Sequence, residues 1–272
     1  MIESILAGLF GLIIGSFLNV VIHRWPRGRS VVKPRSHCVR CRKTIPWYDN
    51  VPVLSYLILR GRCRYCGCRI SLRYPLVELI GGLVFFYFVR TLGPTLPAYK
   101  MCALAALLIA LVFTDLEKRL LPDQLTLGGI LIGLAFAPFA PAPDDTANAL
   151  FWLAGVNLAG PAAALAHAAA AAIVPAGFLW AGGWIYGKVR HREGLGLGDV
   201  KLVAMIGVFL GLEATLLILL IGSLAGSVIS VLYIWATKRD AASYQLPFGS
   251  FLSAAALAVA LAGPRLLGLY IQ

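Results

Sequence analysis

"ILAGLFGLIIGSFLNVVIHRWPRGR" (residues 5–29) joins an uncharged apolar run to a burst of arginines, and that junction decides the fold. Residues 4–22 hold no Asp, Glu, Lys or Arg. A helix needs about 20 apolar residues to cross the hydrocarbon of a bilayer. The run lacks the basic start of a secretory signal peptide: Glu3 is its one charge, and Arg24 and Arg27 follow it. It reads as a retained first helix with its N-terminus outside.

The pattern recurs along the chain. Residues 125–143, 146–187, 214–237 and 241–264 are also free of charge, and shorter apolar stretches at 76–89, 97–114 and 200–212 read as further helices. The whole chain is 60% hydrophobic and 13% charged, where soluble domains run at about 45–50% apolar and about 25% charged. The expectation is an all-α polytopic membrane protein of about eight transmembrane helices, its 200–212 piece short, tilted or re-entrant.

Charge gives the orientation. From His23 to Tyr74 there are thirteen Lys and Arg against one acid, Asp49. Basic loops stay on the cytoplasmic side, which puts this one inside. By alternation the loops near 115–124, 187–199 and 237–245 are inside too, and they carry Lys118, Arg119, Lys188, Arg190, Arg192, Lys238 and Arg239. The outside segments hold Arg90, Lys100, Arg265 and the acidic pair Asp144 and Asp145. Both termini are then periplasmic. The basic loop is read as a topology signal resting on anionic membrane lipid, with no nucleic-acid partner expected.

Within that loop stand "CVRC" (38–41) and "CRYC" (63–66), two C-x-x-C pairs separated by the segment 42–62. Two thiolates from each close a tetrahedral four-sulfur zinc site on Cys38, Cys41, Cys63 and Cys66. Disulfides would need an oxidising compartment, and a thioredoxin-like redox pair would need a βαβ context. A closed four-thiolate site has no open position, so the Zn2+ is structural and holds a loop too small for its own core. Cys68 and His37 are spare potential ligands, and Cys102 is a small core residue.

Three of the twelve acids sit at the ends of apolar segments: Glu78, Asp115 and Asp199. Acids at membrane depth are rare and usually functional. Asp115 ends the 97–114 segment in "LVFTDLEKRLLPD", and Asp199 follows the glycines of "EGLGLGDVK" (193–201). The topology runs one helix inward and the other outward, so two carboxylates far apart along the chain share one depth near the cytoplasmic face. Such a pair holds one proton between them and can activate water against a peptide carbonyl. Gly194, Gly196 and Gly198 let the backbone bend and a substrate strand approach. Taken alone, Asp199 could equally be a helix N-cap.

Other polar residues have plainer readings. Lys201 snorkels to the interface, Asp123 caps the next helix, Glu117 is solvated and His167 is a satisfied core group. His23, His37 and His191 lie in cytoplasmic loops. Glu78 is a candidate for substrate or cofactor contact.

These motifs, together with "GSFLNVVIHRWP" (15–26), "PWYDNVPVLSYLILRGRC" (46–63) and "YPLVEL" (74–79), resemble the bacterial type IV prepilin peptidases. Those are G-x-G-D membrane aspartyl proteases that are also N-methyltransferases. The likeness covers most of residues 10–210. "LPFGS" (246–250) is similar to a family pattern that more often has Pro where Ser250 stands, a departure read as structural. The resemblance implies cleavage of the leader of type IV prepilins or type II secretion pseudopilins at the cytoplasmic face of the inner membrane. It also implies methylation of the new N-terminal amine with S-adenosylmethionine, catalysis by Asp115 and Asp199, and metal binding by the four cysteines. The cysteine loop favours the bifunctional form. The methyl-donor residues stay unassigned, Glu78 being a weak candidate.

The division expected is 1–95, two helices with the zinc loop at 23–75, and 96–272, the peptidase core. One alternative is an ion-coupled transporter using paired intramembrane carboxylates, although residues 1–136 and 137–272 show no repeat. Another is a zinc-ribbon adaptor without catalysis, which leaves the aspartate pair unexplained.

Overall fold

In this computed structural model the described residues are 1–156, 158–190, 196–237 and 247–270, with side chains described through 263. Every regular element among them is helical, apart from two isolated antiparallel bridges. The chain divides into two compact units, Met1–Ala110 and Leu111–Gln272.

The first unit holds α1 (Ile2–Arg24), a short α2 (Leu54–Ile58), α3 (Arg73–Leu92) and the start of α4 (Leu96–Lys118). Lipid tails are as apolar as leucine, so helices in a bilayer associate by close fit and polar contacts. α1 and α3 use both. A Cβ on Gly11 would lie 2.5 Å from the Gly81 carbonyl oxygen, and one on Gly15 would lie 2.6 Å from Glu78 Cα. Asn19 Nδ2 donates to the Tyr74 carbonyl at 3.0 Å, tying the C-terminal part of α1 to the start of α3.

The second unit holds the end of α4, then α5 (Asp123–Phe136), α6 (Asp145–Leu153), α7 (Gly160–Arg190), α8 (Leu197–Leu210), α9 (Leu212–Thr237) and α10 (Phe248–Tyr270). By length and composition α1, α3, α4, α7 and α9 can cross a membrane, while α5 and residues 248–263 of α10 are shorter apolar helices. The all-α, multi-pass expectation holds. The uncharged run 146–187 is not one helix, however. It breaks after α6, and Gly155 and Gly160 take positive φ of 69° and 65° at the break. Absence of charge marks hydrophobic depth and says nothing about where backbone hydrogen bonds stop.

α8, the 200–212 piece, is only 14 residues long and is packed on several sides by α5, α7, α9 and α10. Leu202, Met205, Ile206 and Phe209 are fully buried. A Cβ on its Gly207 would lie 2.0 Å from the Ala171 carbonyl oxygen of α7. Protein rather than lipid surrounds this helix, so it need not span the hydrocarbon. Asp144 fixes the opposite end. Its side chain caps α6 by accepting from Ala147 N–H at 3.0 Å, and its second oxygen accepts from Leu212 N–H at the start of α9.

Candidate active site and metal centre

The metal loop is two copies of one knuckle. In the first, Cys38 N–H donates to the Lys43 carbonyl and Arg42 N–H to the Cys38 carbonyl; in the second, Cys63 N–H donates to the Cys68 carbonyl and Gly67 N–H to the Cys63 carbonyl, all at 2.9–3.0 Å. The bridges His37–Thr44 and Arg62–Arg69 fall at the same offsets. The residue after the second cysteine is left-handed in both, Arg42 at φ 58° and Gly67 at φ 67°. This repetition brings the sulfurs of Cys38, Cys41, Cys63 and Cys66 to within 4.8 Å of one another, a set able to hold a metal ion.

The donor chemistry fits. All six cysteines are free thiols. Cys38 and Cys66 sulfurs are 3.8 Å apart, and about 3.8 Å is the edge of a tetrahedron with zinc–sulfur bonds of about 2.3 Å. Burial opposes ionisation of Cys38, yet the Cys41 and Arg40 backbone N–H groups hold its thiol down at about 6. Cys68 sulfur is 3.5 Å from Cys38, but it occupies the place that Lys43 has in the first knuckle, so the repeat excludes it from the ligand set.

Beside the knuckles, Asp49 accepts two hydrogen bonds from Arg64, at 2.7 and 2.6 Å. That guanidinium holds the Asp49 carboxyl below the usual carboxylate range. Glu78, 8% exposed, accepts from Val53 N–H at 2.8 Å. Val53 has a φ of 61°, an unfavourable conformation for a β-branched residue. Glu78 therefore anchors a strained stretch of the loop that follows the Trp47–Asn50 turn.

The two aspartates meet in the second unit. Asp115 lies one turn from the end of α4 and is 5% exposed. Its Oδ2 accepts from the backbone N–H of Ser250 at 2.6 Å and from the Ser250 hydroxyl at 2.8 Å. Asp199 is the third residue of α8, whose N-cap is Gly196, so Asp199 is not the cap itself. Its Oδ1 lies 3.2 Å from where a Cβ on Gly249 would stand. The Gly249–Ser250 pair thus touches both carboxylates at once, and the two repel each other electrostatically.

Each acid meets the positive end of a helix, Asp115 that of α10 although it stands in the last turn of α4. Asp199 is in the first turn of α8, and Asp115 is held by the third N–H of α10. The glycines serve close packing more than a bend. Gly196 has φ −72° and ψ 137°, a conformation open to any residue. A Cβ on Gly198 would lie 3.2 Å from Leu121 Cβ, and one on Gly249 would lie 2.8 Å from Leu121 Cδ1. Leu121 fills the space between the two helix starts because both glycines leave it free.

Two minor expectations change. Lys201 does not snorkel: its Nζ lies 2.7 Å from Asp123 Oδ1, joining α8 to the first residue of α5. Asp123 is thereby a pairing group, with Pro122 at the N-cap position. Glu117 is exposed as expected, and His167 packs on Phe151 with ring centroids 4.9 Å apart. Gly194, His191, Arg192, Lys238, Arg239 and Leu246 lie outside the described residues.

Residues 9–92 match the model of the bacterial peptidase A24 N-terminal domain, and residues 102–231 match that of the type IV leader peptidase family. A prepilin leader peptidase/N-methyltransferase of Burkholderia pseudomallei (strain 1026b) is 35% identical over 271 residues, covering 90% of this chain and 81% of its own. The chain belongs to the type IV leader peptidase family. A protein of the same name from Aeromonas salmonicida (strain A449) is 35% identical, with 97% of this chain and 92% of its own covered. One from Myxococcus xanthus (strain DK1622) is 43% identical over 85% of this chain, which spans 63% of that longer protein. No solved structure matches. Nothing in these names supports the transport alternative.

The leader peptidase match holds both aspartates and stops before Ser250. Ser250 is the site residue that sequence reasoning missed. One signal was present: a hydrogen-bonding residue at the place where the resembled pattern more often has a proline.

Proposed function

We propose that this chain cleaves the leader peptide of type IV prepilins, or the related pseudopilins of type II secretion, and N-methylates the new N-terminus. The enzyme class follows from its family and from relatives named prepilin leader peptidase/N-methyltransferase over most of their length. The observation that supports the catalytic assignment is the convergence of Asp115 and Asp199 on Gly249–Ser250, at the ends of three helices.

In this reading the dyad holds one proton. The ionised carboxylate takes a proton from a water as its oxygen attacks the scissile carbonyl carbon. The protonated carboxylate donates to the carbonyl oxygen. Collapse of the tetrahedral adduct breaks the C–N bond, and the proton taken from water passes to the leaving amine. Helix dipoles stabilise the negative charge on the pair without reorganising.

The four cysteines would hold a Zn2+ that fixes the basic loop, and S-adenosylmethionine would supply the methyl group. The residues that bind this donor are not assigned; Glu78 remains a weak candidate because its carboxylate is already engaged with Val53. In this reading the site lies at the cytoplasmic face of the inner membrane, a side that the charge of the loop with thirteen Lys and Arg supports. Both termini are then periplasmic, and the loop charge meets anionic lipid. The peptidase core comprises residues 96–272.

The test is co-expression with a prepilin, followed by its intact mass. Wild type yields a product shortened by the leader and heavier by one methyl group. Asp115→Asn or Asp199→Asn, each nearly isosteric, leaves the prepilin uncut, with cleavage reduced at least about 1,000-fold, while the metal stays bound. Native-rate processing by both variants disproves the dyad.

A further inference from the structure

The unresolved chemical question at the site is which aspartate carries the shared proton. We propose that Ser250 settles it: by committing Asp115 Oδ2 to two donors, it keeps Asp115 as the proton acceptor and leaves the proton on Asp199. This rests on the dyad reading given above.

The geometry is specific. Ser250 is 4% exposed and Asp115 5%, so water does not compete for the contact. Two donors from one residue reach a single carboxylate oxygen, the backbone N–H at 2.6 Å and the hydroxyl at 2.8 Å. The hydroxyl also lies 3.2 Å from the Val112 carbonyl, an acceptor that cannot return a proton. The hydroxyl has one hydrogen, and its shorter contact is to Asp115 Oδ2, 2.8 Å against 3.2 Å to the Val112 carbonyl; donated to the carboxylate, it stabilises the ionised acid. Among the described residues no such pair of donors reaches Asp199, whose Oδ1 lies 3.2 Å from where a Cβ on Gly249 would stand. Among the described residues the charged groups facing Asp115 are Asp199 from α8 and Arg119, just past the end of α4. Arg119 favours the same proton placement.

Ser250 is also where a proline fits. It is the third residue of α10, in the first turn, and its N–H reaches back only to Pro247 at 3.1 Å. First-turn N–H groups lie outside the helical ladder, so proline is tolerated there. A proline would remove both donors without unwinding α10. The departure from the resembled pattern at this position is therefore chemical as well as structural. Ser250 acts on the reaction through Asp115, as a positioning residue.

The test is the pH dependence of prepilin cleavage by full-length enzyme in detergent, comparing wild type with Ser250→Ala, Ser250→Pro and Ser250→Thr. Ser250→Ala removes one donor, and the acidic limb of kcat/KM moves to higher pH by on the order of one unit. The rate at a fixed pH on that limb falls about tenfold, KM staying constant. Ser250→Pro moves the limb at least as far, and Ser250→Thr restores it. A limb in the same place for all four enzymes overturns the inference. So does a loss of activity that is uniform at every pH, which would mark a structural role. The aspartate variants separate this from the dyad itself. If Asp115→Asn and Asp199→Asn are inactive while the limb ignores Ser250, the dyad stands and the inference falls. If they still cleave, the dyad reading itself has failed.

Discussion

The metal loop and the aspartate cluster assemble reactive side chains in opposite ways. The loop repeats one local device: four clustered cysteines between Cys38 and Cys66, presented by two knuckles that make the same hydrogen bonds at the same offsets. The cluster has no local device. Asp115, Asp199 and Ser250 come from one helix end and two helix starts, with Asp115 and Ser250 separated by 135 residues. With a metal on the four cysteines, lost stability in the loop would be lost metal, because the fold and the ligand set would be one thing. In the cluster, the helices fold on their own packing and the chemistry is added at their tips. The two regions should therefore respond differently to damage.

The largest contrast comes from the cysteines. Replacing Cys63 and Cys66 with Ser removes one knuckle's ligands, and structural zinc binding is worth roughly 10 kcal/mol or more in small domains. Metal content falls to none and residues 25–72 become sensitive to protease, while the helices of Leu111–Gln272 stay resistant. Limited proteolysis with metal analysis reads both. Protection of the loop without metal would show that the knuckles hold by themselves, and the comparison would fail. Methylation lost with cleavage partly spared would place the transferase function in the loop.

These differences also explain what the sequence could reveal. C-x-x-C spacing is a local code, so the clustering of the four cysteines was readable before any coordinates. The carboxylates were readable for another reason: acids are scarce in apolar segments, and the charge-based topology put two at one depth. Ser250 carries only the signal of standing where the resembled pattern more often has proline. A serine after a glycine is common, and its role depends on α10 starting beside α4. The break in 146–187 was hidden because uncharged residues form a loop as readily as a helix when glycines allow it. The placement of Leu121, which accounts for Gly198 and Gly249, needed the packed bundle.

A smaller effect tests the claim that helices of the second unit carry their own stability. Asp144 caps two helices from one carboxylate, accepting from Ala147 in α6 and Leu212 in α9. Gly211 makes room for it, with φ at 87° and a would-be Cβ 2.8 Å from Asp144 Oδ2. Asp144→Ala removes both caps at about 1 kcal/mol each, a loss of about 2 kcal/mol. Asp144→Asn, which still accepts, loses less. Unfolding of the full chain in detergent, followed by far-UV circular dichroism, measures the difference. Cleavage by the folded fraction should be unchanged, because Asp144 is at the other end of α8 from Asp199. A drop in kcat would show that the helix ends are coupled.

The smallest effect lies between the two knuckles, which differ at one conformationally decisive position. Arg42 and Gly67 occupy equivalent left-handed places, at φ 58° and 67°. An L-residue with a Cβ is disfavoured there by about 1–2 kcal/mol, whereas glycine is not. Glycine also loosens the unfolded chain, at a cost of roughly 0.4–1 kcal/mol. Arg42→Gly should then strengthen the first knuckle by up to about 1 kcal/mol, and Gly67→Ala should weaken the second by a similar amount. The rate at which a chelator strips the metal orders them: Arg42→Gly slowest, then wild type, then Gly67→Ala. Equal rates would mean that metal coordination, and not backbone conformation, sets the stability of each knuckle. The repeat would then be a consequence of binding rather than its cause.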